Sequence, residues 1–207
     1  MKSDTVAIFG TGGFAREVAC ILHDLGRGDR IVAFHEPDEV YRAREILGVA
    51  VRPQSAFDPT KDRAVVGIGN PAIRQKVVGE LPAGTMFDTL IHPTAVMSQW
   101  VDVGPGSIIC AGCVLTCQIS IGAHCHLNLN TTVGHDCTFG DFCTVAPGVN
   151  ISGNCDFGMR VDVGTQASFR QHIRVCDDAV IGMGTVVVRD IVEAGTYVGV
   201  PAKKVPS

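Results

Sequence analysis

The chain has 207 residues, of which 46% are apolar and 18% are charged, and this composition is typical of a globular protein with one or two small domains. The formal net charge of −4 gives no reason to expect a nucleic acid or an anionic membrane surface as a partner. No apolar run approaches the length of about eighteen residues that spans a bilayer, and the first residues show no signal-peptide pattern. These features predict a cytoplasmic protein without membrane insertion.

The N-terminal part of the chain alternates strands and helices. Predicted strands cover Thr5–Phe9, Ile31–Phe34 and Ala64–Ile68, and an amphipathic helix covers Ala15–Leu25. Pro71 opens a second helix. This order predicts a βαβαβ unit, which is half of a doubly wound nucleotide-binding (Rossmann) fold.

A glycine-rich turn joins the first strand to the first helix. Gly12, Gly13 and Phe14 lie at the mouth of that helix, where backbone N–H groups favour a phosphate. The turn matches a dinucleotide fingerprint, but a domain of this size supplies one mononucleotide half rather than the two halves that hold NAD. Glu36, just past the second strand, is a candidate acceptor for a ribose or a base. An NAD-dependent oxidoreductase and a turn without any ligand remain alternatives.

From Ile91 to Val192 the sequence repeats a six-residue pattern without an insertion. Each sixth residue from Ile91 to Val187 is apolar, and the fifth position of each hexad is small or β-branched. Glycine often follows the opening apolar residue, which suits turns where a Cβ would clash. A period of six fits neither an α-helix nor an alternating strand. It predicts a parallel β-helix in which three short strands complete one triangular coil.

Most of the cysteines are explained by this repeat. The small inward position is occupied by Cys113, Cys125, Cys137, Cys143 and Cys155, where each acts as a compact apolar residue. Cys110 and Cys113 also form a C-x-x-C pair with His124 and His126 downstream, so a zinc site is an alternative. Because Cys113 faces inward and Cys110 takes a turn position, we expect reduced thiols and no metal.

His135 occupies the third position of its hexad, on an outward-facing turn, and Asp136 follows it. A neighbouring carboxylate can orient an imidazole and raise its basicity. Such a pair suits a general base that removes a proton from an attacking amine or hydroxyl. The alternative is an exposed turn histidine beside a solvated aspartate, and spacing alone does not separate the two interpretations.

Four segments together resemble one family. They are GTGGFAREV after the first strand, GIGN after the third, GHDCTFGDF within the repeat and GVPAKKV near the C-terminus. This arrangement is similar to the hexapeptide-repeat sugar acetyltransferases of the sialic acid O-acetyltransferase and bacillosamine N-acetyltransferase type. The resemblance implies a left-handed parallel β-helix in a homotrimer, with acetyl-CoA bound in the groove between neighbouring β-helices. It also implies that the N-terminal domain holds a nucleotide-linked amino sugar.

The resemblance also implies roles for individual residues. His135 corresponds to the family's general base and Asp136 to its helper. The nucleotide site corresponds to Gly12, Gly13, Phe14, His35, Glu36 and Gly69. The acetyl-CoA groove corresponds to Asn128, Thr144, Gly153, Thr165 and Met183, with Lys203 and Lys204 of the tail near the CoA phosphates. Phe14 and Thr144 depart from the pattern, because many relatives carry histidine at both positions.

The expected function is transfer of an acetyl group from acetyl-CoA to the amine of a nucleotide-linked amino sugar, a precursor of lipopolysaccharide or another cell-surface glycan. The expected domains are a half-Rossmann nucleotide-sugar-binding domain over residues 1–88, the β-helix over 89–192 and a CoA-contacting tail over 193–207. Alternatives are sugar O-acetylation, carbonic-anhydrase-type metal catalysis and a non-catalytic trimeric scaffold. The H-x₄-H spacing expected for the metal enzyme is absent.

Overall fold

The computed structural model describes residues 5–206, which form an N-terminal α/β domain followed by a parallel β-helix. Residues 1–4 of the predicted first domain and residue 207 of the predicted tail lie outside the described residues. Within residues 5–206, no helix is both long and apolar enough to cross a bilayer. The predicted α/β domain and the predicted β-solenoid are both present.

The N-terminal domain is a five-stranded sheet with two α-helices. The helices are α1 (Gly13–Asp24) and α2 (Pro71–Glu80), and short 3₁₀ turns cover Gly28–Arg30, Asp38–Val40 and Gln54–Ala56. The strands are β1 (Thr5–Phe9), β2 (Ile31–Glu36), β3 (Glu45–Ile46), β4 (Val49–Pro53) and β5 (Asp62–Val66). Their order in the sheet is β3-β4-β2-β1-β5, and β1 runs parallel to both of its neighbours. The first part of the predicted βαβαβ unit is present as β1, α1 and β2. The second crossover helix is absent, because β3, β4 and short 3₁₀ turns connect β2 to β5, and α2 follows β5 instead of preceding it.

The β3-β4 hairpin is an addition that the sequence analysis did not predict. β4 pairs in parallel with β2 through Phe34–Val51, His35–Arg52 and Glu36–Pro53. This pairing extends β2 by two residues beyond its predicted end. His35 and Glu36 consequently belong to the strand instead of following it.

The β-helix is built from strands of two to four residues that recur with the hexad period. They are β6 (Leu90–Ile91), β7 (Val96–Met97), β8 (Val101–Val103), β9 (Ile108–Ile109), β10 (Val114–Leu115), β11 (Ile119–Ile121), β12 (His126–Leu127), β13 (Thr132–Val133), β14 (Thr138–Phe139), β15 (Thr144–Val145), β16 (Asn150–Ile151), β17 (Asp156–Phe157), β18 (Asp162–Val163), β19 (Ser168–Phe169), β20 (Arg174–Val175), β21 (Ala179–Ile181), β22 (Val186–Val187), β23 (Gly195–Val198) and β24 (Lys203–Lys204).

Every third strand of the repeat joins the same sheet, so the coil has three walls. Sheet I contains β7, β10, β13, β16, β19 and β22; sheet II contains β8, β11, β14, β17 and β20; sheet III contains β6, β9, β12, β15, β18, β21, β23 and β24. From β6 to β22, paired residues in these walls are eighteen apart, as His126 and Thr144 are in sheet III. The predicted tail continues sheet III, because β23 pairs with β21 and β24 pairs antiparallel with β23.

The interior of the coil is filled by the two apolar positions of each hexad. The five cysteines predicted to face inward are all buried. Phe139 and Phe157 stack with their ring centroids 4.8 Å apart, as expected for residues that lie one coil apart. A Cβ on Gly140 would lie 2.7 Å from the carbonyl carbon of Gly158, which confirms that glycine at this position allows close approach of the next coil. The first coil is less well covered: Ile91 is 38% exposed, and Ala95, Met97, Val101 and Val103 are half-buried.

The corners of the coil turn through left-handed backbone. Each sixth residue from Gln118 to Asp178 has a φ between 52° and 69°. Asn, Asp and Gly adopt this conformation readily, whereas Phe142 and Arg160 do so at a steric cost. The stacking of neighbouring coils therefore holds the turn even where the local residue does not favour it.

One buried guanidinium joins the two domains. Arg74 of α2 is fully buried and donates hydrogen bonds of 2.6–3.1 Å to six acceptors. The acceptors are the carbonyl oxygens of Ile68, Gly69, His124, Phe142 and Cys143 and the hydroxyl oxygen of Thr144. Burial lowers the pKa of Arg74 to about 10, so the side chain remains charged at pH 7.

Candidate active site

His135 and Asp136 form a side-chain pair on the corner between β13 and β14. His135 Nδ1 lies 2.7 Å from Asp136 Oδ2, and the two side chains are 58% and 44% exposed. Because a carboxylate only accepts hydrogen bonds, Nδ1 carries the proton and donates it to Asp136. The other ring nitrogen, Nε2, has no hydrogen-bond partner among residues 5–206. In the neutral ring this nitrogen is free to accept a proton.

The backbone around the pair is fixed by the neighbouring coils. Asp136 adopts a φ of 58°, and its N–H donates to the carbonyl oxygen of Cys117 at 3.1 Å. The N–H of Asn154 in turn donates to the carbonyl oxygen of His135 at 2.8 Å. Aspartate tolerates the left-handed region better than most residues, so the helper carboxylate also suits the turn that presents it.

Gly153 lies directly beside the His135 ring, in the next coil. A Cβ built on Gly153 would be 2.6 Å from His135 Cε1 and 2.7 Å from Nε2. The N–H of Gly153 donates to no acceptor among the described residues, although the N–H groups of Ser152 and Asn154 on either side do. The exposed imidazole is therefore next to an unused backbone donor.

A polar cleft of about 470 Å³ extends from the pair along the same corner of the β-helix. It is lined by Asp136, Asn154, Asp156, His172, Arg174 and Asp190. Carboxylate, amide and guanidinium groups of this kind can exchange hydrogen bonds with sugar hydroxyls. Except for Asp136, the sequence analysis assigned none of these residues to the site. Asp136, Asn154, His172 and Asp190 follow one another at intervals of eighteen residues, and so do Asp156 and Arg174. This spacing was the signal that could have placed them together.

The residues predicted to contact acetyl-CoA divide between different parts of the β-helix. Asn128, Thr165 and Met183 follow strands of sheet III, one corner away from His135. Met183 is 79% exposed, whereas Asn128 is buried and its Nδ2 donates to the carbonyl oxygen of Val145. Of the predicted groove residues, the structure thus brings only Gly153 next to the imidazole within one chain.

Thr144 lies at the interface between the domains. Its hydroxyl donates to the carbonyl oxygen of Gly69 at 2.6 Å and accepts from Arg74 at 3.0 Å. Its side chain is buried and is not part of an open groove. The structure therefore connects a predicted acetyl-CoA residue directly to a predicted nucleotide-site residue.

The two predicted lysines of the tail are exposed in β24. Lys204 Nζ lies 2.9 Å from Glu193 Oε2 in an exposed ion pair. Lys203 forms no ion pair with any residue in the range 5–206. Of the two, Lys203 is therefore the cation that is available to a phosphate.

The glycine turn leaves an open helix terminus. Gly12 caps α1 without a side-chain hydrogen bond, and neither Gly12 nor Gly13 has a neighbour within 4 Å of a Cβ position. The first N–H groups of an α-helix have no acceptor within the helix, so this terminus favours an anion. Phe14 points the other way and packs on the buried ring of His126, with ring centroids 4.7 Å apart.

Glu36 is already engaged by an arginine that the sequence analysis missed. Arg44 donates from Nη1 and Nη2 to the two carboxylate oxygens at 2.6 and 2.7 Å. The backbone N–H of Arg42 and the hydroxyl of Thr11 add further hydrogen bonds. The hydrogen bonds from Arg44 are the main reason that the pKa of Glu36 falls to about 2. The carboxylate therefore holds Arg44 in place.

Arg44 lines a cleft of about 410 Å³ beside the glycine turn, together with Thr11, Arg16 and the segment Glu45–Leu47. Arg16 and Arg44 contribute the two guanidinium groups that line this cleft. Residue spacing gave no signal for Arg44, because the β3-β4 hairpin that places it was not predicted.

The side chain of His35 is buried against two phenylalanine rings. Its ring stacks on Phe9 at a centroid distance of 5.0 Å and meets Phe57 edge-on. Nδ1 lies 3.0 Å from the carbonyl oxygen of Pro53, and burial lowers the pKa of the imidazole. This side chain belongs to the core of the N-terminal domain, so a substrate contact by the ring is not supported by its position.

The cysteines and histidines of the zinc alternative are buried. Burial raises the pKa of Cys110 to about 12 and that of Cys113 to about 11, which keeps both thiols protonated at pH 7. Residues 5–206 contain no group of three or more His, Cys, Asp or Glu side chains that could hold a metal ion. Cys110, predicted at a turn, is in fact buried against the N-terminal domain.

Comparison with known proteins agrees with this geometry. Residues 5–81 match the family model for the PglD N-terminal domain. The acetyltransferase domain of PglB from Neisseria gonorrhoeae FA1090, solved in complex with acetyl coenzyme A, is 30% identical; the match covers 98% of this chain and 100% of that one, with a TM-score of 0.90. The chain belongs to the hexapeptide-repeat sugar acetyltransferases of the PglD type.

Two further members of this family are similar over most of their length. PerB from Caulobacter crescentus, in complex with CoA and GDP-perosamine, is 30% identical, with 98% of this chain and 97% of that one covered and a TM-score of 0.89. The GDP-perosamine N-acetyltransferase of Escherichia coli O157:H7 is 29% identical over 174 residues, which are 80% of this chain and 78% of the relative. The predicted resemblance to this PglD-type family is therefore confirmed.

Proposed function

We propose that this protein transfers the acetyl group of acetyl-CoA to the amine of a nucleotide-linked amino sugar. The observation that carries the proposal is the exposed His135–Asp136 pair, with its free Nε2, on the β-helix of a PglD-type acetyltransferase. Relatives named for N-acetylation of GDP-perosamine, or solved with CoA and GDP-perosamine, support an amine acceptor over a hydroxyl. We place the reaction in the cytoplasm, where it would supply precursors of lipopolysaccharide or a similar glycan.

The proposed reaction is a direct transfer. The amine nitrogen attacks the carbonyl carbon of the thioester while His135 Nε2 removes the proton of the amine. Asp136 stabilises the imidazolium through the Nδ1 hydrogen bond. When the tetrahedral intermediate collapses, the C–S bond breaks and the CoA thiolate leaves, with the imidazolium as the proton source. The products are the amide and free CoA.

We assign the N–H of Gly153 to the oxyanion of the intermediate. It is a backbone donor beside the His135 ring and it has no acceptor in the described chain. A backbone donor close to the reacting carbonyl can stabilise the negative charge that develops on its oxygen. Acetyl-CoA would then lie with its carbonyl oxygen between the imidazole and this amide.

The nucleotide is proposed to bind at the glycine turn. Gly12, Gly13 and the α1 terminus provide N–H groups for a phosphate, with the guanidinium groups of Arg16 and Arg44 in the same cleft. Gly69 lies next to the β-helix, where its carbonyl oxygen accepts a hydrogen bond from the hydroxyl of Thr144. Glu36 contributes through its hold on Arg44, and any contribution of His35 is limited to its backbone.

We further propose the left-handed coil and the homotrimer that the family resemblance implies. His135 and the corner of Thr165 and Met183 flank sheet I on opposite sides, so a second copy packed beside this sheet would complete the groove. Val96, Trp100 and Val114 on or beside sheet I are exposed apolar side chains that such packing would cover. Sedimentation of the chain as a monomer would contradict this part of the proposal.

The test is product analysis by mass spectrometry. Wild-type protein and His135→Ala are incubated with acetyl-CoA and a panel of UDP-, GDP- and dTDP-linked amino sugars, together with their hydroxyl counterparts. We expect one acetylated amino sugar with the wild type and almost none with the variant. Acetylation of a hydroxyl sugar alone would establish the O-acetyltransferase alternative, and no acetylated product at all would reject the proposal.

A further inference from the structure

The outward corner that carries His135 is a column of side chains spaced eighteen residues apart. Its members are Gln99, Cys117, His135, Gly153, Gln171 and Arg189. Five of the six have a side chain that extends from the corner. The only glycine stands one coil after the histidine, in contact with its ring.

Backbone conformation does not require glycine at this position. The φ of Gly153 lies outside the positive range that L-residues avoid, unlike that of Gly148 at 69° in the preceding hexad. The three atoms nearest to a Cβ on Gly153 are all in the His135 ring, namely Cε1 at 2.6 Å, Nε2 at 2.7 Å and Nδ1 at 3.0 Å. An alanine would therefore collide with the imidazole before it met anything else.

The ring is thus held by two contacts of different kinds. The hydrogen bond to Asp136 fixes the direction of Nδ1, while the ring lies beside Gly153 in the space that a Cβ would occupy. An exposed side chain with only one hydrogen bond would sample several rotamers. Contact with the next coil restricts that freedom, which matters because a base misplaced by about 1 Å can lose about 10²-fold in rate.

We propose that Gly153 is a positioning residue for the general base: its missing Cβ makes the space in which the His135 ring lies. This inference rests on the proposed function for its kinetic consequences, but the steric contact itself does not depend on any activity. This positioning role is distinct from a contact between Gly153 and the cofactor. An alanine at position 153 would keep the backbone N–H but fill the space in which the His135 ring lies.

The structural test is a double-mutant cycle on thermal stability. We expect Gly153→Ala to lower the Tm by about 2–4 °C in the wild-type background, which corresponds to roughly 1 kcal/mol for a chain of this size. In the His135→Ala background the same substitution should leave the Tm unchanged, because the ring is no longer there. Equal losses in both backgrounds would overturn the proposal, since the clash would then be with the backbone. This cycle needs no substrate.

The functional test is the kinetics of the folded Gly153→Ala enzyme. We expect kcat to fall about tenfold to hundredfold, with the KM of the amino sugar and the affinity for CoA, measured by calorimetry, within threefold of wild type. Gly79→Ala is the matched control, because Gly79 lies in α2 with no neighbour within 4 Å of a Cβ. An unchanged kcat, or a loss of CoA affinity as large as the loss of kcat, would overturn the positioning role. If the wild type shows no acetyl transfer, the proposed function fails and the stability cycle still decides the contact.

Discussion

Histidines occupy two opposite environments in this protein. His135 lies on an outer corner of the β-helix, 58% exposed, with a carboxylate partner at 2.7 Å and a free Nε2. His124 and His126 lie at the interface with the N-terminal domain, where they are buried beside the guanidinium of Arg74. Burial lowers the pKa of His124 to about 4 and holds that of His126 well below its usual value, with Arg74 adding to both shifts.

The difference teaches what each region contributes. An imidazole that must gain and lose a proton at neutral pH needs solvent and a carboxylate, and the corner provides both. The interface instead keeps its imidazoles neutral, because burial disfavours the charged ring and the guanidinium of Arg74 adds to this effect. We therefore expect the corner to control the reaction and the interface to control the relative position and stability of the two domains.

The largest effect is expected for His135→Ala. Removal of a positioned general base typically lowers the rate by about 10²–10⁴. Because the side chain is exposed, stability should change little, and steady-state kinetics together with a melting curve measure both quantities. His23→Ala, an exposed histidine on α1, is the control. A variant with near-wild-type kcat would remove His135 from the mechanism.

Arg74→Met should have the largest effect on stability. The substitution leaves several buried carbonyl oxygens without a donor, and each such group costs about 1–3 kcal/mol, so we expect a loss of about 3–5 kcal/mol in the free energy of unfolding. Urea denaturation at pH 7 measures it. Lys76→Met, on the exposed side of the same helix, is the control. A loss below about 1 kcal/mol would mean that the interface does not depend on this guanidinium.

The buried interface should also make stability depend on pH. Because the pKa of His124 is about 4 in the folded chain, against an ordinary value of 6.5, the folded state binds fewer protons than the unfolded state between these values. Stability should therefore be fully present above about pH 6.5 and fall by up to about 3 kcal/mol as the pH drops toward 4.

The variant His124→Phe sharpens this test, because the aromatic stacking on Phe142 can remain while the titrating group is removed. Unfolding free energies measured from pH 7 to pH 4 should fall less steeply for the variant than for the wild type. His23→Phe should leave the wild-type slope unchanged. Identical slopes for His124→Phe and wild type would contradict the expectation.

The smallest effect is expected for Asp136→Asn. The pair is exposed, and exposed ion pairs contribute about 0–1 kcal/mol, so kcat should fall by roughly fivefold or less. Asparagine tolerates the left-handed φ of this turn, which preserves the corner. Steady-state kinetics measure the effect, and an unchanged kcat would show that Asp136 does not assist the base.

Much of the fold could be predicted because it follows from short-range regularity. The hexad spacing alone required three walls and an interior of apolar and small residues, and the buried cysteines confirm it. β1 was also predicted, and so was the start of α2 at Pro71. The structure adds the cap of this helix, because the Oδ1 of Asn70 accepts a hydrogen bond from the N–H of Ile73. The β3-β4 hairpin was missed, since its strands are short and its pairing partner is distant in sequence.

The sequence by itself determined the coil, the outward position of His135 and the adjacency of Asp136, because these depend only on the period of the repeat. Only the tertiary structure decided that Arg44 donates hydrogen bonds to Glu36 and that Thr144 is hydrogen-bonded to Gly69 and Arg74. It also decided that the ring of His135 lies beside Gly153. Each of those contacts joins residues that are eight to seventy-five positions apart. Their meeting depends on how coils and domains pack, and local residue patterns carry no direct record of that packing.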